Sequence, residues 1–355
     1  MMNKRLKQGS TFLLALALAF PLLTLPGARA ANAIETNRKC SVAFSVSGED
    51  NELTDPGTDI KVNLYKVADV DVSGNYTATG AFKTLDVSSV SADDKDAASE
   101  WADRAKAAQE MLTTEVKPTT VTLKKGSGIQ SDLATGIQSD LATGIQSDLA
   151  TGIQSDLATG LYLVDTPKVV TTNYTYTFTP YLVSLPTNNY YTSGDDDWIY
   201  NLTDTNAIGL KPEEHARYGD LVINKTLANH NATTGKKATF VFQIKITTLK
   251  GKTETRIESL DFEAAGDSSV TITKIPAGAT VTVNEVYSGA SYKLTSENNQ
   301  KTTIIATDKE AQVDPVSVSF TNDVDDNMNG GYGVRNNFKL DENGQYQYTE
   351  PAAKK

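Results

Sequence analysis

Residues 316–322 read Val316-Ser317-Val318-Ser319-Phe320-Thr321-Asn322, with apolar and polar side chains alternating at a period of two. That period belongs to a strand with one face buried and the other in water. Two earlier segments carry the same period, Leu221-Val222-Ile223-Asn224-Lys225-Thr226 and Val281-Thr282-Val283-Asn284-Glu285. Further short segments of strand-favouring residues lie at 238–247, 268–275, 291–295 and 302–306, separated by turn residues.

Seven short strands in about a hundred residues predict a two-sheet sandwich of immunoglobulin-like type. The chain before it is also β-rich. Val42, Phe44 and Val46 alternate in one segment, and Ile60, Val62 and Leu64 in another. Strands are expected at 160–170 and 174–186, and an extended segment at 198–210. The stretch 93–114 differs, because Trp101, Ala105, Ala108 and Leu112 recur at helical spacing with charges between them. Residues 128–159 are four identical copies of Gly-Ile-Gln-Ser-Asp-Leu-Ala-Thr. A glycine every eight residues opposes a helix, and the polar turn residues predict a surface loop. Lys211-Pro212-Glu213-Glu214 has the composition of an interdomain connection. The fold class is therefore all-β: two tandem immunoglobulin-like β-sandwich domains, the first with one inserted helix and a repeat loop.

Residues 1–30 determine the compartment. Lys4, Arg5 and Lys7 precede an apolar run over 11–25, and Ala28-Arg29-Ala30 offers small residues two apart. This is the three-part pattern of a secretory signal peptide, and the run is short for a membrane span. Cleavage after Ala30 leaves about 325 of the 355 residues, enough for two domains at roughly 100–200 residues each. The expected divisions are 1–30 signal peptide, 31–212 first β domain, 213–325 second β-sandwich and 326–355 polar tail. In the tail, Phe338–Leu340 and Tyr346–Tyr348 flank Asp341-Glu342-Asn343-Gly344 as one hairpin. The lone cysteine, Cys40, rules out an intrachain disulfide, so an exported chain must gain robustness elsewhere. A net charge of −11 and a pI near 4.8 argue against nucleic acid as a partner.

Strand parity isolates the chemistry. Lys225 shares a face with Leu221 and Ile223, Asn322 with Val318 and Phe320, and Glu285 with Val281 and Val283. The opposite faces carry Asn224, Thr282, Asn284, Ser317, Ser319 and Thr321, with Val222 the exception. An amine, a carboxamide and a carboxyl thus continue apolar inner stripes on the first, last and a middle strand. Taken singly, each reads as a strand end opening to water. Together they suit a self-formed amide crosslink. Desolvation lowers a lysine pKa and raises a carboxyl pKa. A neutral Lys225 amine could then attack the Asn322 side-chain carbonyl, with Glu285 shuttling protons as ammonia leaves. Lys66 also continues an inner stripe, after Leu64, but no asparagine partner stands out for it.

The segments around Lys225, Glu285 and Asn322 resemble the isopeptide-forming Cna B-type domains of Gram-positive pilins and adhesins. The resemblance implies Lys225 and Asn322 as the crosslinked pair and Glu285 as the catalytic acid. The earlier segments Gly160-Leu161-Tyr162-Leu163-Val164 and Tyr181–Pro186 resemble the N-terminal domain of sortase-type pilin subunits. Lys211-Pro212, following the tryptophan-led segment from Trp198, takes the place of that family's sortase-acceptor lysine, without its usual Tyr-Pro-Lys tripeptide. The resemblance implies a structural or adhesive surface protein: a pilin (fimbrial) subunit on a pilus or cell wall. Its partners would be other pilin subunits, a sortase, and a host matrix or glycan ligand. The chain ends Tyr348-Thr349-Glu350-Pro351-Ala352-Ala353-Lys354-Lys355, with no Leu-Pro-x-Thr-Gly sorting signal, so the expectation is a truncated product, an unanchored secreted chain, or a cap joined through Lys211.

A secreted, unpolymerised adhesin or binding module remains the alternative. An enzyme acting on an outside substrate finds no support in the two histidines, His215 and His230, which both sit in polar segments. Asp195–Asp197 and 322–327 lack the spacing of a calcium loop. No metal and no cofactor is expected, and no membrane span after signal cleavage.

Overall fold

A computed structural model of the chain describes residues 23–24, 33–47, 52–55, 57–88, 90–91, 96–125, 149–188, 198–203, 207–231, 237–289, 291–325, 337–340 and 346–349. Most of the expected signal peptide and the acidic run Asp195–Asp197 lie outside them. The chain divides into two compact units, Met1–His215 and Ala216–Lys355. Among the described residues no helix is long and apolar enough to cross a membrane.

The first unit is built on one large sheet. Its principal elements are β1 (Cys40–Ser47), β2 (Ile60–Val70), α1 (Ala97–Glu110), β3 (Thr119–Lys125), β4 (Leu149–Leu157), β5 (Gly160–Asp165), β6 (Tyr181–Leu185) and β7 (Asn201–Leu202). The strand order is β6-β5-β2-β3-β4-β1-β7, antiparallel throughout except for β7 beside β1. The near-continuous apolar run of β5 is buried on both faces, as such a run predicts. Leu161 and Leu163 pack with Trp101, Ala105 and Ala108 of α1, while Tyr162 and Val164 join a second cluster with Val42, Phe44, Ile60 and Leu64. The helix thus covers one face of the sheet by the apolar stripe read from sequence, and the Arg104 guanidinium lies 4.6 Å over the Trp101 ring.

The repeat region departs from the expected loop. The last repeat copy is not loop, because Leu149–Leu157 form β4, paired on both sides with β1 and β3. The earlier repeat residues, 128–148, fall outside the described residues. Composition misled because glycine and aspartate are poor strand formers in isolation, whereas here two neighbours supply the pairing. Lys66 does continue its stripe, in regular register opposite Tyr162, but it is not sealed there as Lys225 is. Its side chain is 31% exposed and makes an ion pair with Asp69 at 2.5 Å. The pairing of β2 with β5 shifts register only beyond it, between Lys66 and Ala68, and that bulge carries Ala68 to the cluster packed on α1.

The second unit is a two-sheet sandwich. Its strands are β8 (Tyr218–Leu227), β9 (Ala238–Thr247), β10 (Thr253–Phe262), β11 (Gly266–Pro276), β12 (Thr280–Tyr287), β13 (Tyr292–Leu294), β14 (Gln300–Thr303) and β15 (Val316–Val324). One sheet runs β11-β8-β15-β13 and the other β10-β9-β12-β14. The first and last strands, β8 and β15, lie side by side and parallel, from Leu221↔Val316 to Leu227↔Asn322. Between the sheets, Leu221, Ile223, Phe240, Phe242, Ile244, Val281, Val283, Val318 and Phe320 form the core. Phe242 and Phe320 meet across it with ring centroids 5.2 Å apart. Strand β10 is an element that the sequence pattern hides. In Thr253-Glu254-Thr255-Arg256-Ile257-Glu258-Ser259-Leu260-Asp261-Phe262, Ile257 falls on the opposite parity from Leu260 and Phe262, so no clean stripe shows. It is an edge strand, with Ile257 exposed and only Phe262 buried. In the tail, Asn337–Leu340 pairs antiparallel with Tyr346–Thr349, as a hairpin.

Candidate crosslinking site

The inner face of the sandwich brings three polar side chains together. Lys225 reaches in from β8 and Asn322 from the neighbouring β15, while Glu285 comes from β12 in the opposing sheet. Because β8 and β15 run parallel with Lys225 opposite Phe320, Asn322 lies two residues further along the same face. The long lysine side chain spans that offset. The residues are 1%, 6% and 0% exposed in the order Lys225, Glu285, Asn322.

The Lys225 Nζ donates to Asn322 Oδ1 at 2.7 Å and to the Thr226 carbonyl oxygen at 2.9 Å. The Asn322 Nδ2 donates to Glu285 Oε1 at 2.6 Å. The other carboxyl oxygen, Oε2, accepts no hydrogen bond and faces Lys225 Nζ at 3.9 Å. The amine thus sits on the oxygen side of the carboxamide and the acid on its nitrogen side. The Phe240 ring closes the site, with its centroid 4.4 Å from Lys225 Nζ. That ring also packs edge-on against Phe262, centroids 5.6 Å apart, and lies 5.6 Å from Tyr292.

Burial dominates the electrostatics. It pushes the Lys225 amine down to about 8, although the nearby Glu285 charge pulls the other way. Burial also raises the Glu285 carboxyl above its ordinary value, against hydrogen bonding from Asn322 and Ser288 and the charge of Lys225. A proton moving from Lys225 to Glu285 would remove two buried charges at once, and the two shifts favour that move.

Sequence parity did not reveal three contributors. Phe240 is recognisable as an inner-face residue from Phe240, Phe242 and Ile244, but nothing in the pattern says which ring lies under the amine. Asn298 fixes the Glu285 backbone: its Oδ1 accepts from the Glu285 N–H at 2.8 Å and its Nδ2 donates to the Glu285 carbonyl at 3.1 Å. It sits in the polar run Glu297-Asn298-Asn299-Gln300, where any one residue looks like a solvated turn. The Thr226 carbonyl is backbone and carries no side-chain signature.

Lys211 is apart from this cluster, in the first unit. It is exposed and immediately precedes the strand Pro212–Ala216. It borders a cavity lined by Trp101 of α1 and by Phe178, Pro180, Tyr181 and Leu210.

Residues 221–325, which hold Lys225, Glu285 and Asn322, match a family described as a domain of unknown function (DUF5979). No match is found among curated proteins. Similar solved structures include GBS52, the minor pilin of Streptococcus agalactiae. It is 12% identical, with 83% of this chain and 100% of that one covered and a TM-score of 0.24. They also include the major pilin T-13 of Streptococcus pyogenes, 13% identical, with 83% and 100% covered and a TM-score of 0.22.

Proposed function

We propose that this chain is an exported cell-surface structural protein of the pilin-subunit type, with its second unit stapled by an amide bond between Lys225 and Asn322. The observation that carries the reading is the buried contact of an amine, a carboxamide and a carboxyl inside an otherwise apolar sandwich. Three buried polar groups of this kind are costly to retain, and covalent joining removes the charges.

The step balances as follows. The neutral Lys225 Nζ forms a bond to Asn322 Cγ. Glu285 takes one proton from Nζ and delivers one to Nδ2, the Cγ–Nδ2 bond breaks, and ammonia departs. Holding the two side chains in contact supplies a high effective concentration. On this reading Lys211, exposed at the end of the first unit, is the acceptor amine for a sortase that joins subunits.

The intact mass of the purified protein tests the staple. The parent is expected to be lighter than its sequence by one ammonia, and Lys225→Ala and Glu285→Ala are expected at full sequence mass. A parent at full mass would sink the proposal.

A second test uses pH. Protein recovered unreacted from denatured inclusion bodies and refolded across a pH series should crosslink at a rate set by the neutral fraction of Lys225. With that amine near 8, the rate should climb about tenfold per pH unit below that value and level off above it. A rate independent of pH between 5 and 8 would mean that amine deprotonation does not limit the reaction.

A further inference from the structure

Strand β4 is made of repeat sequence, and the repeats supply it more than once. Its nine residues, 149–157, read Leu-Ala-Thr-Gly-Ile-Gln-Ser-Asp-Leu, and the windows 133–141 and 141–149 read identically. The demands of the β4 position are specific. Ala150 and Thr151 are buried, as is Leu157 opposite Cys40. At Gly152 an added Cβ would lie 2.7 Å from the Thr122 carbonyl oxygen and 2.9 Å from Val121 Cγ1, so only glycine fits against β3. Each identical window offers alanine, threonine, glycine and leucine at those same places: Ala142, Thr143, Gly144 and Leu149 in one, and Ala134, Thr135, Gly136 and Leu141 in the other.

A one-residue slip of a strand would turn its core face to water, but a slip of eight is even and brings back the same side chains. The residues after the strand repeat as well. Thr159, whose Oγ1 donates to the Thr36 carbonyl, and Ala158, whose carbonyl accepts from the Tyr162 hydroxyl, are replaced by Thr151 and Ala150. The connections change in length only. The β3–β4 connection, now 126–148, would shorten, and the β4–β5 connection, now 158–159, would lengthen by the same eight residues. Loop-closure entropy varies only logarithmically with length, so this exchange has a small cost.

We infer that β4 is register-degenerate: any of the three windows can fill it, and the unused copies act as spare strand that moves between the two flanking connections eight residues at a time. The repeat then protects the first unit's sheet against damage in any one copy and lets copy number change without altering the core.

Substitution in one copy tests this. Both tryptophans, Trp101 and Trp198, lie in the first unit, so tryptophan fluorescence reports its melting alone. Ala150→Asp places a carboxylate at a buried position of the observed window. In the full chain the sheet is expected to adopt another window, and the first unit's Tm should fall by no more than about 5 °C. Deletion of residues 128–143 leaves a single window and should itself melt close to the parent. In that shortened chain Ala150→Asp is expected to lower Tm by about 10 °C or more, or to prevent folding. An equal fall in both backgrounds, no fall in either, or failure of the shortened parent to fold would each overturn the inference.

Discussion

The Glu285→Gln variant is expected to unfold its second unit roughly 20 °C or more below the parent, with the first unit's transition unmoved. Glutamine keeps the size of the side chain and a hydrogen-bonding group beside Asn322, but it cannot shuttle protons, so Lys225 and Asn322 stay unjoined. The missing constraint is large because the two residues are 97 apart in sequence. A crosslink closing a loop of about 100 residues is worth about 4–5 kcal/mol in the chain-entropy account. For a domain of this size each kcal/mol moves Tm by about 4–8 °C. Differential scanning calorimetry, with the first unit's transition assigned by tryptophan fluorescence, separates the two units. Coincident second-unit transitions in parent and variant would show that no such constraint exists.

The Phe240→Ala variant is expected to damage stability and chemistry together. Removing a fully buried phenylalanine costs about 3–5 kcal/mol through lost transfer energy and the cavity left behind. The same ring excludes water from Lys225 Nζ. Once it is gone, solvation returns to the amine, its pKa moves back up from about 8 toward the ordinary value, and less of it is neutral at pH 7. Mass spectrometry shortly after refolding should therefore find a substantial uncrosslinked fraction where the parent has none. Phe262→Leu, one ring further from the amine, serves as the control that perturbs packing without opening the site. If Phe240→Ala crosslinks as fast as the parent, desolvation by this ring does not set the reactivity.

The legible parts of this protein were those where a period meets a face. Alternation placed Lys225, Glu285 and Asn322 on inner stripes, because a side chain two along from a core residue must share its environment unless a bulge intervenes. One step past Lys66 a bulge does intervene, and it carries Ala68 off the stripe: nothing in Leu64-Tyr65-Lys66-Val67-Ala68 marks the register shift, which arises from pairing with β5. Strand β10 was hidden because an edge strand buries little and needs no clean stripe. Strand β4 was hidden because its fitness depends on close approach to β3 at Gly152, a contact between segments distant in sequence. Asn298 could not be singled out, since its task is to hold backbone groups of Glu285 from across a turn. Local pattern reveals burial; it does not reveal which distant group shares the buried space.

The parallel pairing of β8 with β15 has a mechanical consequence. The chain enters the sandwich at the start of β8 and leaves it at the end of β15. In parallel neighbours those two points lie at opposite ends of the pair, so tension on the termini loads all the rungs between the strands in shear and does not peel them one at a time. With Lys225 bonded to Asn322, tension would pass from one strand to the other through a single covalent link near the exit. The intervening 97-residue separation, roughly 330 Å of extensible chain at full stretch, would never be drawn out. A fibre of such units would transmit a pull almost without lengthening.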